Sequence, residues 1–328
     1  MVSWRLEQFR RAAGRLLHRC TSLPDLARHA PLPLITPTAD GSGQVTHPDV
    51  IAFPSPWRGH RFWMVMTPFP FLDATLENPS ILASDDGLTW APPSGLVNPL
   101  IPAPERGFHA DPDLIHHPES DELWLYFLHT IRGEEQHLIR MVSTDGRHWS
   151  APQTLFSVTY QEIRSPALAI HAGRVTMWSV NMRVGATLEV RESTDGITWE
   201  EPYPAFHYQP GFRPSHVDVV RDPLRDCWWM VVQATPFTGG ANPLFLAGSP
   251  DGRRWWSHTR PLLGTALTPE WANQTLYRST LVMEPPEDPR RGGGGRLWYA
   301  GRDADNRNRV GHTRVPATAF DALRKRWT

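Results

Sequence analysis

A seven-residue pattern, Ser-x-Asp-Gly-x-x-Trp, occurs four times in the 328-residue chain. The copies begin at Ser84, Ser143, Ser193 and Ser249, so they lie 59, 50 and 56 residues apart. Asp-Gly is a strong two-residue turn signal, because glycine reaches positive φ without steric cost. The Asp carboxylate can accept N–H groups of its own turn, so Asp86, Asp145, Asp195 and Asp251 are expected to staple turns. Near-regular recurrence at this period predicts a repeat architecture in which each unit packs only on its neighbours.

Each turn sits late in a longer unit. A first strand opens at Pro48, Pro112, Pro166, Val217 and Ser279, and a Trp-bearing strand follows with Trp63, Trp124, Trp178, Trp229 and Trp298. A third strand runs into the Asp-Gly turn and a fourth begins at Trp90, Trp149, Trp199 and Trp255. The fifth unit lacks the turn. The reading is all-β: a five-bladed β-propeller of four-stranded antiparallel blades over residues 45–315. The 33 Pro, 24 Gly and 15 Trp fit many short strands and turns.

Residues 1–44 are read as a short N-terminal helix and linker, and 316–328 as a C-terminal tail. Trp4, Leu6, Phe9, Ala13, Leu16 and Leu17 recur at helical spacing, so an amphipathic helix over 3–18 is expected to dock on the outside of the propeller rather than on a membrane. Arg interrupts every apolar run there, which does not read as a secretory signal, and the expected compartment is the cytoplasm. The net charge of −1 gives no reason to expect nucleic acid, and no window suits membrane insertion. Cys20 and Cys227 have no zinc-like spacing. Gly292 to Gly295 reads as a flexible hairpin, not a phosphate loop. A monomer or small homo-oligomer is expected.

The four repeats resemble the Asp-box repeats of sialidases and other BNR-type propellers. The five-unit count and the Asp-Pro strand starts resemble five-bladed glycoside hydrolases: arabinanases, β-xylosidases and invertases. Propeller domains of phage tails and bacterial carbohydrate-active proteins are also similar, through Glu77-Asn78-Pro79-Ser80-Ile81 and the turn after it. The resemblance implies hydrolysis of a sugar or oligosaccharide by paired carboxyl groups. In the arabinanase pattern Asp111 matches the Asp that tunes the acid. The acid maps onto Glu162, although Arg164 or Ser165 stands closer to its column, and Asp49 stands two residues after the column of the base, which His47 occupies. Asp49, Asp111 and Glu162 are therefore the expected catalytic residues.

The starts of the inner strands converge on one channel mouth in such a fold, and the loops between second and third strands return to the same face. Those positions hold His47, Asp113, Arg164, His216, Asp218 and Arg278, together with Glu77, Asn78 and Asp303, and these are the expected substrate-binding residues. Asp49, Asp113 and Asp218 occupy equivalent positions, so tying inner strands to neighbouring blades is an equal alternative for those three. Arg164, Arg213, Arg278 and Tyr277 suit a sialidase-like carboxylate site. No cofactor is expected, although His47, His109, His216 and Asp111 could approach a metal ion in the channel. Two other readings stay open: a non-catalytic carbohydrate- or protein-binding propeller, and a scaffold that uses its N-terminal helix as the contact.

Overall fold

The computed structural model describes residues 25–286 and 292–327; the expected helix over 3–18 lies outside the described residues. Five antiparallel sheets follow one another along the chain. Blade 1 holds β1 (Val45–Trp57), β2 (His60–Pro68) and β3 (Ser80–Ser84), with its fourth strand reduced to a bridge between Ala83 and Ala91. Blade 2 holds β4 (Phe108–His117), β5 (Glu122–Ile131), β6 (Glu135–Ser143) and β7 (Gln153–Thr159). Blade 3 holds β8 (Ala167–His171), β9 (Arg174–Asn181), β10 (Thr187–Ser193) and β11 (Tyr203–Pro204). In blade 4, β12 (Phe206–Tyr208) adds in parallel to β16 (Arg254–Ser257), outside β15 (Leu244–Ser249), β14 (Cys227–Pro236) and β13 (Phe212–Asp222). Blade 5 holds β17 (Thr275–Met283), β18 (Gly295–Arg302) and β19 (Asn308–Val315).

The Asp-Gly turns are stapled as their chemistry dictates. In the second copy, Gly146 N donates to Ser143 Oγ (2.8 Å), and Asp145 Oδ1 accepts from the N–H groups of Arg147 and His148 (both 2.8 Å). The turns also join the blades. Gly146 lies on Trp63 of the preceding blade, so a Cβ there would stand 2.2 Å from the indole. Gly196 meets Trp124 in the same way, Gly252 meets Trp178, and Gly87 closes the ring on Trp298. Trp178 Nε1 donates to Gly252 O (2.7 Å) and Trp298 Nε1 to Gly87 O (2.8 Å). Glycine is needed for its positive φ and for this close approach together.

Blade 5 has no such turn to cover Trp229. The residues read as a tail supply the cover: they form a helix, α1 (Ala317–Arg324), and the Phe320 and Trp327 rings pack 5.0 and 5.9 Å from Trp229. Buried Arg225 ties this helix to blade 4 by donating to Asp222 Oδ2 (2.8 Å) and Asp321 Oδ1 (2.9 Å). Residues 25–36 lie over blades 4 and 5, with Ala27 N on Leu262 O (3.0 Å) and Leu34 N on Val310 O (2.8 Å).

At the seam between blades 5 and 1, Arg296 donates from Nη2 to Asp86 O (2.7 Å) and from Nε to His312 Nε2 (3.1 Å). His312 must therefore be unprotonated at Nε2; burial, then Arg296 and Arg314, lower its pKa to about 4. A histidine held neutral in the native state stabilises fully above its unfolded pKa of about 6.5, and that stability is lost as pH falls towards 4. Between pH 6.5 and 4, the melting temperature of His312→Gln should fall less steeply than that of the parent. Equal slopes in calorimetry at three pH values would remove His312 from the acid response.

Inside the ring, side chains on the inner strands bind the next blade. Asp49 accepts from Leu114 N (2.6 Å), Asp113 from Leu168 N (2.9 Å) and Asp218 from Leu281 N (2.9 Å). The blade 3 to 4 junction uses Ser165 instead, whose Oγ accepts from Val217 N (3.0 Å) and donates to Val217 O (2.8 Å). Thr280 Oγ1 makes the last link, accepting from Val50 N (3.2 Å). Arg278 lies among the three Asp side chains, with Nη2 on Asp113 Oδ1 (2.7 Å) and on Pro166 O (3.0 Å). Burial first, then mutual repulsion, raises the pKa of Asp113 and Asp218, the latter to about 7. This polar floor divides the channel. On one side opens a largely apolar cup bordered by Pro54, Ile115, Ile170 and Leu224; on the other opens a polar funnel.

Candidate active site

The funnel is built by a backbone device repeated in three blades. His47, Asp111 and Ser165 occupy the same column, each followed by proline and each left-handed, at φ 51°, 51° and 53°. In β1 and β4 the pairing register shifts across this residue, between Thr46 and Asp49 and between Ala110 and Asp113. Such bulges re-aim a side chain, and a left-handed non-glycine residue costs on the order of 1–3 kcal/mol. Blade 4 breaks register between Pro214 and His216, and blade 5 between Leu276 and Ser279, around Tyr277 and Arg278.

These bulges bring His47, Asp111 and His216 together. His47 Nε2 lies 3.2 Å from Asp111 Oδ1 and His216 Nε2 lies 3.6 Å from the same oxygen. All three side chains are buried. His216 Nδ1 lies 2.6 Å from Gln233 Oε1, and the Gln233 amide is oriented by donating Nε2 to Leu276 O (2.8 Å). An amide oxygen only accepts, so Nδ1 carries the proton and Nε2 keeps its lone pair. His47 Nδ1 is likewise engaged by Thr67 Oγ1 (3.1 Å). Asp111 Oδ2 accepts from Ser165 N (3.1 Å), while Asp111 Oδ1 and His47 Nε2 have no hydrogen-bond partner. Burial lowers His47 to about 4 and His216 to about 3. Burial pushes Asp111 up, but the imidazoles, Arg278 and the Ser165 N–H outweigh it and hold it at about 2.

Two imidazole lone pairs and one carboxylate oxygen, each steered from behind by a second group, form a metal-ligand set. Ligands about 2.1 Å from a tetrahedral ion stand roughly 3.4 Å apart, which matches the separations here. The orphaned Asp111 Oδ1 and His47 Nε2 are the atoms such an ion would satisfy, so the residues fit a divalent cation of the first transition row.

Around this cluster the funnel encloses about 500 Å³, with Glu77, Phe108, Arg132, Arg164, Gln233 and Tyr277 in its wall. Glu77 is buried, and burial followed by the charge of Asp111 raises its pKa well above the usual carboxylate range. The Tyr277 ring lies 4.4 Å from His216 and 5.2 Å from His47; burial pushes its hydroxyl up, so it remains a proton donor. Arg164 is held by Ser215 Oγ and Gln161 Oε1 (both 3.2 Å).

Several residues expected at the site stand elsewhere. Glu162 is separated from the cluster: it faces Arg183 Nε at 3.7 Å and lines an outer cavity with Glu134 and Arg191. Glu162 and Asp111 therefore do not flank one bond; the residues of this loop that line the funnel are Tyr160, Gln161, Ile163 and Arg164. Asp49, Asp113, Asp218 and Arg278 form the floor, and both Asp49 oxygens are taken, Oδ1 by Thr280 and Oδ2 by Leu114 N. Asn78 Oδ1 meets His109 Nδ1 (2.8 Å). Asp303 staples its own loop through the N–H groups of Asp305 and Arg307 and pairs with Arg309. The orienting groups Thr67 and Gln233 carried no motif. Their signal was strand pairing, since Gln233 stands directly opposite His216.

No protein-family model matches the chain. It is 31% identical over 329 residues to an A type blood N-acetyl-α-D-galactosamine deacetylase of Flavonifractor plautii, covering 83% of this chain. The chain spans 42% of the length of that relative. The crystal structure of an N-acetylgalactosamine deacetylase from F. plautii, in complex with blood group B trisaccharide, superposes with a TM-score of 0.82 at 24% identity, covering 93% of this chain and all of that one. An α-L-arabinofuranosidase from Fusarium graminearum gives 0.58 at 14% identity, over 89% of this chain and 99% of its own. A thermostable family-43 glycoside hydrolase gives 0.61 at 11% identity, over 83% and 89%. The chain is a five-bladed β-propeller whose structural neighbours include glycoside hydrolases.

Proposed function

We propose that the chain is a metal-assisted hydrolase that removes the acyl group from an N-acylated amino sugar, with N-acetylgalactosamine at the end of an oligosaccharide as its expected substrate. One observation carries this reading: His47, Asp111 and His216 converge with two buried, unpartnered ligand atoms. The likeness to the N-acetyl-α-D-galactosamine deacetylase supports the choice of amide bond and sugar.

A divalent cation on these three residues would supply Lewis acidity to the amide carbonyl and a more acidic water. The chain supplies the rest. Glu77, with its raised pKa, takes a proton from the attacking water and delivers it to the departing amine, so water and amide become acetate and a free amino sugar. The Tyr277 hydroxyl donates to negative charge developing on the carbonyl oxygen. Gln233 holds His216 in the ligand tautomer, and Thr67 orients the His47 ring.

A second reading is O-glycoside hydrolysis, favoured by two funnel carboxyls whose pKa values are pushed apart, Glu77 up and Asp111 down. Product analysis separates the two. Incubation with a trisaccharide ending in N-acetylgalactosamine should release acetate and leave the glycosidic bonds intact. Chelation and dialysis should abolish release, and a first-row divalent ion should restore it. Free monosaccharide as the product, or full activity after chelation, would overturn the proposal.

A further inference from the structure

We propose that a second cavity, between blades 3 and 4, is a subsite for the sugar units that follow the acylated residue. The inference rests on reading the funnel as the place where that residue is held. The cavity encloses about 610 Å³, within the range of small-molecule pockets. Its lining adjoins that of the funnel along the chain. On β13, Arg213 and Pro214 line the cavity, while the next two residues, Ser215 and His216, line the funnel. The end of β14 and the loop after it do the same, with Phe237 in the cavity and Thr235 and Asn242 in the funnel. At about 3.3 Å per residue, Arg213 and His216 stand roughly 10 Å apart along the strand, within reach of a short oligosaccharide.

The lining suits sugar. Tyr208 and Phe237 are 49% and 50% exposed, so flat rings are open to the apolar faces of pyranoses. Gln209 borders the cavity, and its Oε1 is a buried acceptor without a hydrogen-bond partner. The two loops are held together, since Phe237 N donates to Gly211 O (3.2 Å). Concavity, exposed rings and one orphaned acceptor fit a polyhydroxylated chain better than a flat protein surface.

The test compares a trisaccharide ending in N-acetylgalactosamine with the methyl glycoside of the same sugar. In Tyr208→Ala and Gln209→Ala, the ratio of kcat/KM for the trisaccharide to that for the methyl glycoside should fall about tenfold, with the change in KM. Binding is measured separately with a galactose-terminated trisaccharide, which has no amide to cleave, against methyl galactoside. The parent should prefer the trisaccharide, and both variants should lose most of that preference. Loss of preference in a protein that releases no acetate would uphold the subsite and overturn the catalytic reading alone. No preference in the parent, or an unchanged preference in both variants, would overturn the subsite.

Discussion

Asp111→Asn is expected to lower acetate release by about a thousandfold or more, because a bound cation contributes several kcal/mol to the barrier and each 1.36 kcal/mol is a factor of ten. Asp111 Oδ1 is the atom both imidazoles face, and the amide of Asn is a poor ligand in its place. Metal content, measured on the purified protein, should fall in parallel. The fold should survive, since the Asn side-chain oxygen can still accept from Ser165 N. A variant that keeps both its metal and its activity would remove Asp111 from the ligand set. One that loses activity but keeps metal would assign it another role.

Arg278→Met should produce the largest loss of stability among single substitutions at the channel. Arg278 is 1% exposed and is the guanidinium set among Asp49, Asp113 and Asp218. Removing one partner of a buried ion cluster leaves uncompensated charge and costs about 3–5 kcal/mol. That should lower the melting temperature by roughly 10 °C. The penalty has a sign in pH. Carboxyls whose pKa is raised in the folded state bind more protons there than when unfolded, so the variant should regain stability as pH falls from about 7 towards the unfolded value near 4. A melting temperature within 2 °C of the parent, or a deficit that does not shrink on acidification, would show that the floor is not held by this charge.

The blades were legible because their determinants are local. An Asp-Gly turn dictates its own geometry, and a middle-strand Trp needs only an apolar face. The inner-strand starts were legible as a set for the same reason. The partnership within that set was not. His47, Asp111 and His216 are separated by 64 and 105 residues, and what joins them is a left-handed backbone at two positions, His47 and Asp111, that strand patterning does not mark. Glu162 shows the converse: a carboxylate in the right loop that faces Arg183, while its neighbours Gln161, Ile163 and Arg164 line the funnel. The helix α1 was missed because its apolar positions, Ala319, Phe320 and Leu323, make a stripe too short to stand out from a tail.

That helix also sets an order of events. Trp229 in blade 4 is covered by residues near 320 and 327, whereas each of the other middle-strand tryptophans is covered by an Asp-Gly turn. Trp63, Trp124 and Trp178 receive theirs from the next blade to be made. During synthesis, blade 4 therefore keeps an apolar flank open for about ninety residues after Trp229 emerges. The ring is sealed last at the point where the repeat itself gave out, and a nascent chain arrested before α1 would expose its stickiest surface there.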